Sequence, residues 1–427
     1  MAKRYGYLYQ KLLDKDLISK AIDNAARDKH NYTEVQEVLD CKDFYINEVY
    51  NILLHKTYKV SPYKVKQIYE PKKRDIYVLP FYPDRIIQHL LMLILFPIWE
   101  NWLSPHSYSC RKDYGQHKAS QKAMSIVRKK ECQYYLKCDI SKFYPNLNHH
   151  ILKRIIRKKI KDPDMLHLLD IIVDSGPLPT SYKIEFDTKT SDGILTLTPV
   201  DALAYVLEHK QMNRLHEVYT NTPIGNYISQ WFGNLYMSEF DRWITTKVHR
   251  RVKRRVFRRG KPFIEYEDKL FVLGGLVPSD AIIGYVRYCD DFVIFGRNLE
   301  ELKLIRSKIE TYLLVTLKLK LSKAIINKVS KGVDFVGYRH FKKKIILRRS
   351  TAKRIIKKIK EIPNLLRHGY MNKTQALSRI GSYYGWLKHG NCYHLQIKTK
   401  LHELKKEITE LNDITAIARG YKYGWIS

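Results

Sequence analysis

The chain predicts an α+β fold, a sheet with acids at its strand ends and helices over one face. Three observations carry this. Tyr134-Tyr-Leu-Lys-Cys-Asp-Ile140 reads as a strand that closes on Asp139. Val286-Arg-Tyr-Cys-Asp-Asp-Phe-Val-Ile-Phe295 reads as two strands around a turn that holds Asp290 and Asp291. The segments between and around them carry apolar residues at helical spacing.

The elements follow in order. Residues 1–60 predict helices, because Leu12-Leu13, Leu17-Ile18, Ala21-Ile22 and Ala25-Ala26 recur at helical intervals. Tyr63–Tyr69 and Asp75–Leu79 alternate as strands around a basic turn, Glu70-Pro-Lys-Lys-Arg74. An apolar helix is expected over 84–103. Helices are expected over 148–161 and 164–174. Residues 180–222 read as an insertion, with alternation at Ile184/Phe186 and Ile194/Leu195/Leu197 and a helix near 200–217. Thr222-Pro-Ile-Gly-Asn226 is a turn, and a helix follows from Ser229 to about Val248. A basic run, 247–261, leads into a stretch without clear pattern up to Ile283. A helix over 298–316, a strand at Val333–Tyr338 and a basic helical remainder from Ser350 complete the chain.

The 427 residues include 77 Lys and Arg against 43 Asp and Glu, a formal net charge of +34. That excess points to a polyanionic partner, most simply nucleic acid, held with strong salt dependence. A membrane is the competing partner, but Ile86–Trp99, the most apolar stretch, is too short to span and contains Gln88, His89 and Pro97. The N-terminus lacks the apolar core of a signal peptide. The six cysteines show no zinc spacing and read as reduced thiols, so a cytoplasmic protein is expected. The 32 tyrosines suit both core packing and stacking on bases.

An Asp-Asp turn is by itself compatible with plain solvation. A third carboxylate, Asp139, on a neighbouring strand changes its meaning. One acid from a strand end and two from a hairpin can chelate two divalent cations for in-line phosphoryl displacement.

At this point the chain resembles the reverse transcriptases. Asp139-Ile-Ser-Lys-Phe-Tyr144 resembles the family's first acid motif, and Tyr288-Cys-Asp-Asp291 its Tyr-x-Asp-Asp motif. Pro223-Ile-Gly-Asn-Tyr-Ile-Ser-Gln230 lies between them, where the family has its Gly-x-x-x-Ser element. Val333-Asp-Phe-Val-Gly-Tyr338 resembles the primer-grip hairpin. Glu70–Ile76 and Asp84–His89 resemble the fingers segments. The matches keep the family's order over roughly 60–340.

The resemblance implies a right-hand polymerase: an N-terminal helical extension over 1–60, fingers and an antiparallel palm over 61–340, and a basic helical thumb over 341–427. Insertions fall at about 180–222 and 247–284. It implies Asp139, Asp290 and Asp291 as catalytic residues and, with the Ile140 carbonyl, as ligands of two Mg²⁺ ions, Mn²⁺ being an alternative. It implies Lys72 and Arg74 as cations on the triphosphate, with Tyr144 as the ring that excludes a 2′-hydroxyl or, otherwise, a core aromatic. Gly225, Ser229 and Gln230 fall beneath the nascent pair, and Tyr288, Gly337 and Tyr338 on the template–primer side. Arg85 either supports template or triphosphate, or pairs with Asp84 or another acid. Lys323 either protonates pyrophosphate or is a solvated lysine.

Two basic runs remain. Residues 247–261 carry nine Lys and Arg and no acid, and 342–360 carry ten and no acid. The first, with Arg250, Arg251, Arg254 and Arg255, is expected to hold a folded RNA. The second, with Lys353 and Lys357, is expected to track a duplex. The Ile-Gly-x-x-x-Ser-Gln form resembles diversity-generating and bacterial defence-associated reverse transcriptases. No Cys/His nuclease cluster or RNase H-like segment is seen. The implied function is copying of a structured non-coding RNA into cDNA from dNTPs, in antiphage defence. Diversity generation and template-independent synthesis are the alternatives.

Overall fold

A computed structural model describes residues 3–69, 74–176, 182–185, 194–197, 220–258 and 261–411. In chain order the helices are α1 Lys15–Ala26, α2 Thr33–Asp40, α3 Lys42–Leu54, α4 Ile86–Glu100, α5 Gln116–Val127, α6 His149–Arg157, α7 Pro163–Asp174, α8 Tyr227–Thr245, α9 Leu299–Leu317, α10 Arg349–Arg367, α11 Lys373–Lys388, α12 Tyr393–Lys398 and α13 Leu401–Glu410. The strands are β1 Lys64–Ile68, β2 Arg74–Val78, β3 Tyr134–Ile140, β4 Tyr182–Glu185, β5 Ile194–Leu197, β6 Val248–Arg258, β7 Lys261–Val272, β8 Val277–Pro278, β9 Gly284–Tyr288, β10 Asp291–Gly296, β11 Leu321–Lys328, β12 Val333–Phe335, β13 Tyr338–His340 and β14 Ile345–Leu347.

The principal sheet has the order β11-β3-β10-β9, and smaller sheets are β1-β2, β4-β5, β6-β7-β8 and β12-β13-β14. The chain divides into two compact units. One comprises Met1–Arg111, Cys138–Ser279 and Leu304–Ala324, and the other Lys112–Lys137, Asp280–Lys303 and Ile325–Ser427.

In the first unit, α1 begins where the Asp14 side chain accepts the Asp16 and Leu17 amides, and its face of Ile18, Ala21, Ile22 and Ala25 is buried. Asp162 caps α7 through the Met165 amide at 3.1 Å. Its other oxygen takes the Leu8 and Tyr9 amides at 2.5 and 2.9 Å, tying the N-terminal segment to α7. Helices α4 and α8 bury the largest side chains. Trp99 lies 6.3 Å from Trp231 and 6.1 Å from Phe232, ring to ring. Each such side chain contributes about 1.5–3 kcal/mol through burial.

In the second unit, the turn of α10 that carries Ile355, Ile359, Ile362 and Leu366 packs with Ile380, Tyr383 and Leu387 of α11 and Leu401 and Ile408 of α13. Basic residues fall on the other faces of α10.

Several expectations change. The helix expected over Ser229–Val248 runs from Tyr227 to Thr245, and its last turn is capped by the Thr246 amide on Arg242 O. The basic run and the patternless stretch after it form a long antiparallel hairpin, β6 and β7, with β8 on its edge. Val333–Tyr338, expected as a strand segment and likened to a hairpin, is a hairpin in which Val336-Gly337 turns between β12 and β13. Helix α5 and strand β11 have no counterpart in the sequence reading. The helix expected near 200–217 and the turn residues Glu70–Lys73 lie outside the described residues. Among the described residues no helix is long and apolar enough to cross a membrane.

Candidate nucleotidyl-transfer site

Strand β3 presents its buried face through Leu136, Cys138 and Ile140, which leaves Lys137 and Asp139 half-buried on the other face. Period-two alternation thus puts an acid and a cation two residues apart on one surface. The Asp139 carboxylate accepts a 2.7 Å hydrogen bond from Ser322 Oγ, and the same hydroxyl lies 3.1 Å from the Asp139 carbonyl oxygen. Ser141 N donates to Lys320 O at 2.8 Å, which fixes the end of the strand beside β11. Lys323, one residue past Ser322, is exposed.

Tyr144 stands half-buried on a short 3-10 turn after β3. Its ring meets Phe143 edge-on at 5.2 Å. Helix α8 passes beneath at Gly233, where a Cβ would come within 3.1 Å of Phe143 Cε1 and 3.3 Å of Tyr144 Cε1. A side chain there would lift the ring, so Gly233 sets the height of Tyr144.

Gly225 has φ +118°, and a Cβ on it would lie 2.6 Å from Ile76 Cγ2 and 2.8 Å from Tyr77 O. Tyr77 N donates to Ile224 O at 2.8 Å. The turn before α8 is therefore laid against β2, the strand that begins with exposed Arg74. Lys72 lies outside the described residues. Ser229 is buried on α8, while Gln230 is exposed.

Gln230 lines a cavity of about 260 Å³ together with Lys29, Arg85, Gln88, His89 and Asn226. Arg85 donates from Nε to Leu79 O at 3.1 Å. Asp84 accepts instead from Tyr58 Oη at 2.7 Å and Ser61 N at 3.2 Å, and among the described residues no Arg85–Asp84 ion pair forms. His89 stacks on Tyr227 at 4.5 Å. Burial, with Lys29, Arg85 and Arg27 adding positive charge, pulls the His89 imidazole down to about 4. It is neutral at physiological pH, in a pocket whose field favours anions.

In the second unit, β9 and β10 pair Tyr288 with Asp291, so Cys289-Asp290 is a two-residue turn. Cys289 takes φ +56° there. The fully buried Arg287 donates from Nη1 to Cys289 O at 2.8 Å, bracing the turn from within. Asp291 pairs with Lys137 Nζ at 3.3 Å. Tyr288 is half-buried beside them.

Carboxylate oxygens and a backbone carbonyl are the donors that Mg²⁺ and Mn²⁺ prefer, so the chemistry of the set fits such ions. Among the described residues, however, no three His, Cys, Asp or Glu side chains stand close enough to ligate one ion. The carboxylates Asp139 and Asp291 are held by Ser322 and Lys137 respectively.

Gly337, at φ +82°, leaves room for the Trp386 ring, which a Cβ would meet at 2.6 Å. Tyr338 is fully buried, donates to Trp386 O at 3.0 Å and lies 3.1 Å from His117 Nδ1. Expected on the template–primer side, it is a packing residue that orients its hairpin. Lys353 and Lys357 are exposed on α10. Arg250 and Arg251 are exposed on β6, and Arg254 and Arg255 follow on the same strand.

Gly233, Ser322, Arg287 and Lys137 were absent from the sequence reading. Lys137 alone carried a signal, standing two residues before Asp139 on a strand.

The family described as "Reverse transcriptase (RNA-dependent DNA polymerase)" matches residues 64–340. The group II intron-encoded protein LtrA of Lactococcus lactis subsp. cremoris is 24% identical over 372 residues, 78% of this chain and 56% of the relative. Protein YkfC of Escherichia coli (strain K12) is 22% identical over 300 residues, 66% of this chain and 68% of that protein. The chain thus spans little more than half the length of LtrA. Apo telomerase from Candida tropicalis superposes with a TM-score of 0.37 at 13% identity, covering 85% of this chain and 64% of that one. The family match takes in more than half of the sequence, both acid motifs, the Gly225 turn and the Gly337 hairpin, and the chain belongs to the reverse transcriptase family.

Proposed function

We propose that this protein is an RNA-directed DNA polymerase whose reaction is nucleotidyl transfer at Asp139, Asp290 and Asp291. The observation that carries the reading is the braced hairpin tip, Cys289-Asp290-Asp291, with Lys137 joining it to β3 two residues before Asp139.

Asp139, Asp290, Asp291 and the Ile140 carbonyl would hold two Mg²⁺ ions, or Mn²⁺. These supply the positive charge that a 3′-oxyanion and a departing pyrophosphate both need. The protein's own groups do the rest. Ser322 fixes the rotamer of Asp139, and Arg287 fixes the peptide that aims Asp290. Arg74, with Lys72, contacts the triphosphate of the incoming dNTP. Tyr144, held by Gly233, closes the space that a ribose 2′-hydroxyl would occupy. Gly225 and Gln230 form the floor under the nascent pair, while the cations on β6 and α10 carry template and RNA–DNA duplex. Asp290→Ala should abolish templated dNTP incorporation and leave RNA affinity within about threefold. Retained synthesis in both Asp290→Ala and Asp291→Ala would overturn the assignment.

The template we propose is a structured non-coding RNA, and the role antiphage defence, supported by the Ile224-Gly225…Ser229-Gln230 form of the turn before α8. Similarity to LtrA, named as intron-encoded, favours a rival in which the template is intron RNA. Sequencing RNA and DNA that co-purify with the protein decides. Intron sequence supports the rival, a variable repeat supports diversity generation, and DNA without a complementary RNA supports template-independent synthesis.

A further inference from the structure

The hairpin that follows the Gly337 turn ends in Phe341-Lys342-Lys343-Lys344, closed by the Phe341 amide on Lys344 O at 2.8 Å. All three lysines of this turn are exposed. They edge a cleft of about 610 Å³, whose other walls are Gln133, Tyr134, Lys328 and Ser330. That volume exceeds what one side chain would fill and lies in the range of built ligand sites. Among the described residues none of Lys328, Lys342, Lys343 or Lys344 has a carboxylate partner. Lys342 is occupied only by the Lys130 carbonyl, at 3.3 Å.

The Phe341 wall is fixed. Phe341 rests where Gly332, at φ +83°, has no side chain; a Cβ would approach Phe341 Cζ to 2.6 Å. The Arg339 guanidinium lies 5.5 Å over the Phe341 ring and donates to Lys331 O at 2.7 Å. A half-buried ring locked by a glycine on one side and a guanidinium over it is a preformed platform.

The cleft is separate from Asp291. Gln133 N donates to Gly296 O at 3.2 Å, at the far end of β10, whereas Asp291 opens that strand. Five residue steps along the strand separate the two ends, about 17 Å. A duplex engaged at Asp291 does not need this surface.

We infer that the cleft between the Phe341–Lys344 turn and Gln133-Tyr134 binds single-stranded RNA, with phosphates on Lys328, Lys343 and Lys344 and an unstacked base against Phe341 or Tyr134. Lysines surrounding aromatic rings suit a strand whose bases are free to stack, because stacking tolerates any sequence and the cations track the backbone. A phosphorylated protein segment offers one dianion where four separate point charges are set out. A duplex offers phosphates but no free base face. The inference rests on nucleic acid being the partner and not on polymerase activity.

Two variants test it in the full chain. Lys328→Gln/Lys343→Gln/Lys344→Gln should weaken binding of a 20-nucleotide unstructured RNA about tenfold or more, and flatten log Kd against log salt by about 2, since each lost phosphate contact on a single strand is worth about 0.7. Phe341→Ala should weaken the same RNA about tenfold without changing the slope. Affinity for a blunt duplex should stay within twofold for both. Asp290→Ala serves as control: it should bind that RNA normally, so failure of the polymerase reading leaves this result intact. Unchanged RNA affinity and slope in the triple variant would overturn the inference. So would an equal loss for duplex, which would make the cleft part of a general basic surface. The triple variant touches exposed side chains only, so a fold defect in Phe341→Ala does not leave the question open.

Discussion

Two hairpins of this molecule are built on opposite plans. The β9–β10 hairpin has a two-residue turn and strands that are buried through Tyr285, Val286 and Arg287 on one side and Phe292–Phe295 on the other. The β6–β7 hairpin extends for eleven paired positions, and Arg250, Arg251, Ile264 and Tyr266 are all exposed on it. One carries acids at its tip, the other cations along its length. The difference matches what each is proposed to hold. Acids that bind small hard cations must stay within tenths of an ångström, so their turn is short and braced from inside. Cations that meet a polyanion need reach and tolerance, and an exposed ribbon provides both.

The long hairpin also moderates its own charge. Its register sets Arg251 opposite Asp268, and Arg251 lies 4.9 Å over the Tyr266 ring. The basic run of α10 differs. Its one acid, Glu361, stands 3.9 Å from Lys357, and Arg349, Lys353, Arg354 and Lys360 are exposed. Two runs that look alike in sequence are therefore different surfaces, and the proposed phosphate contact is expected to be stronger on α10.

The largest expected effect is at the short hairpin. Asp291→Ala should reduce dNTP incorporation by at least about a thousandfold, read in a primer-extension assay. Next comes its internal brace. Arg287→Ala removes a buried donor from Cys289 O and should cost about 3 kcal/mol in a denaturant titration, with activity falling further than stability alone explains. At the long hairpin, Arg250→Gln/Arg251→Gln should lower RNA affinity about threefold, whereas Lys353→Gln/Lys357→Gln on α10 should lower it about tenfold, both measured at 0.15 M salt. Equal losses would break the contrast between the two basic runs.

The smallest effect concerns pH. His89 has its folded-state pKa held at about 4 by burial and by Lys29, Arg85 and Arg27, below its ordinary 6.5. Buried His340 is held down too, by burial, while Val333 O and Ser120 Oγ satisfy its neutral ring. The unfolded chain therefore binds more protons between these values. Stability should be full above about pH 6.5 and fall as pH drops toward 4. His89→Gln should flatten that fall in a thermal melt series.

The acids were legible in the sequence because a strand ending on Asp139 and an alternating pair around Asp290-Asp291 are local patterns. The amphipathic α10 was legible through Ile355, Ile359 and Ile362. The β6 strand was not. Its valines, 248, 252 and 256, recur every fourth residue, and only the register with β7 selects the extended form. Helix α5 buries Ala119, Ser120 and Ala123 in its first turns, and its larger buried residues, Met124, Ile126 and Val127, crowd its end, so no apolar stripe runs its length. Gly233, Ser322 and Arg287 act through contacts distant in sequence, which no local spacing encodes. Gly225 and Gly337 were read from their motifs, but the reason for each, Ile76 in one case and Trp386 in the other, is tertiary.

The central claim is that the braced acid hairpin performs templated synthesis. It is tested most directly by supplying purified protein with a defined RNA template, a primer, dNTPs and Mg²⁺, and sequencing the product. The account predicts DNA complementary to the template from the wild-type protein and none from Asp290→Asn, with RNA binding equal in the two. Complementary DNA from Asp290→Asn, or DNA unrelated to the template from the wild type, would contradict it.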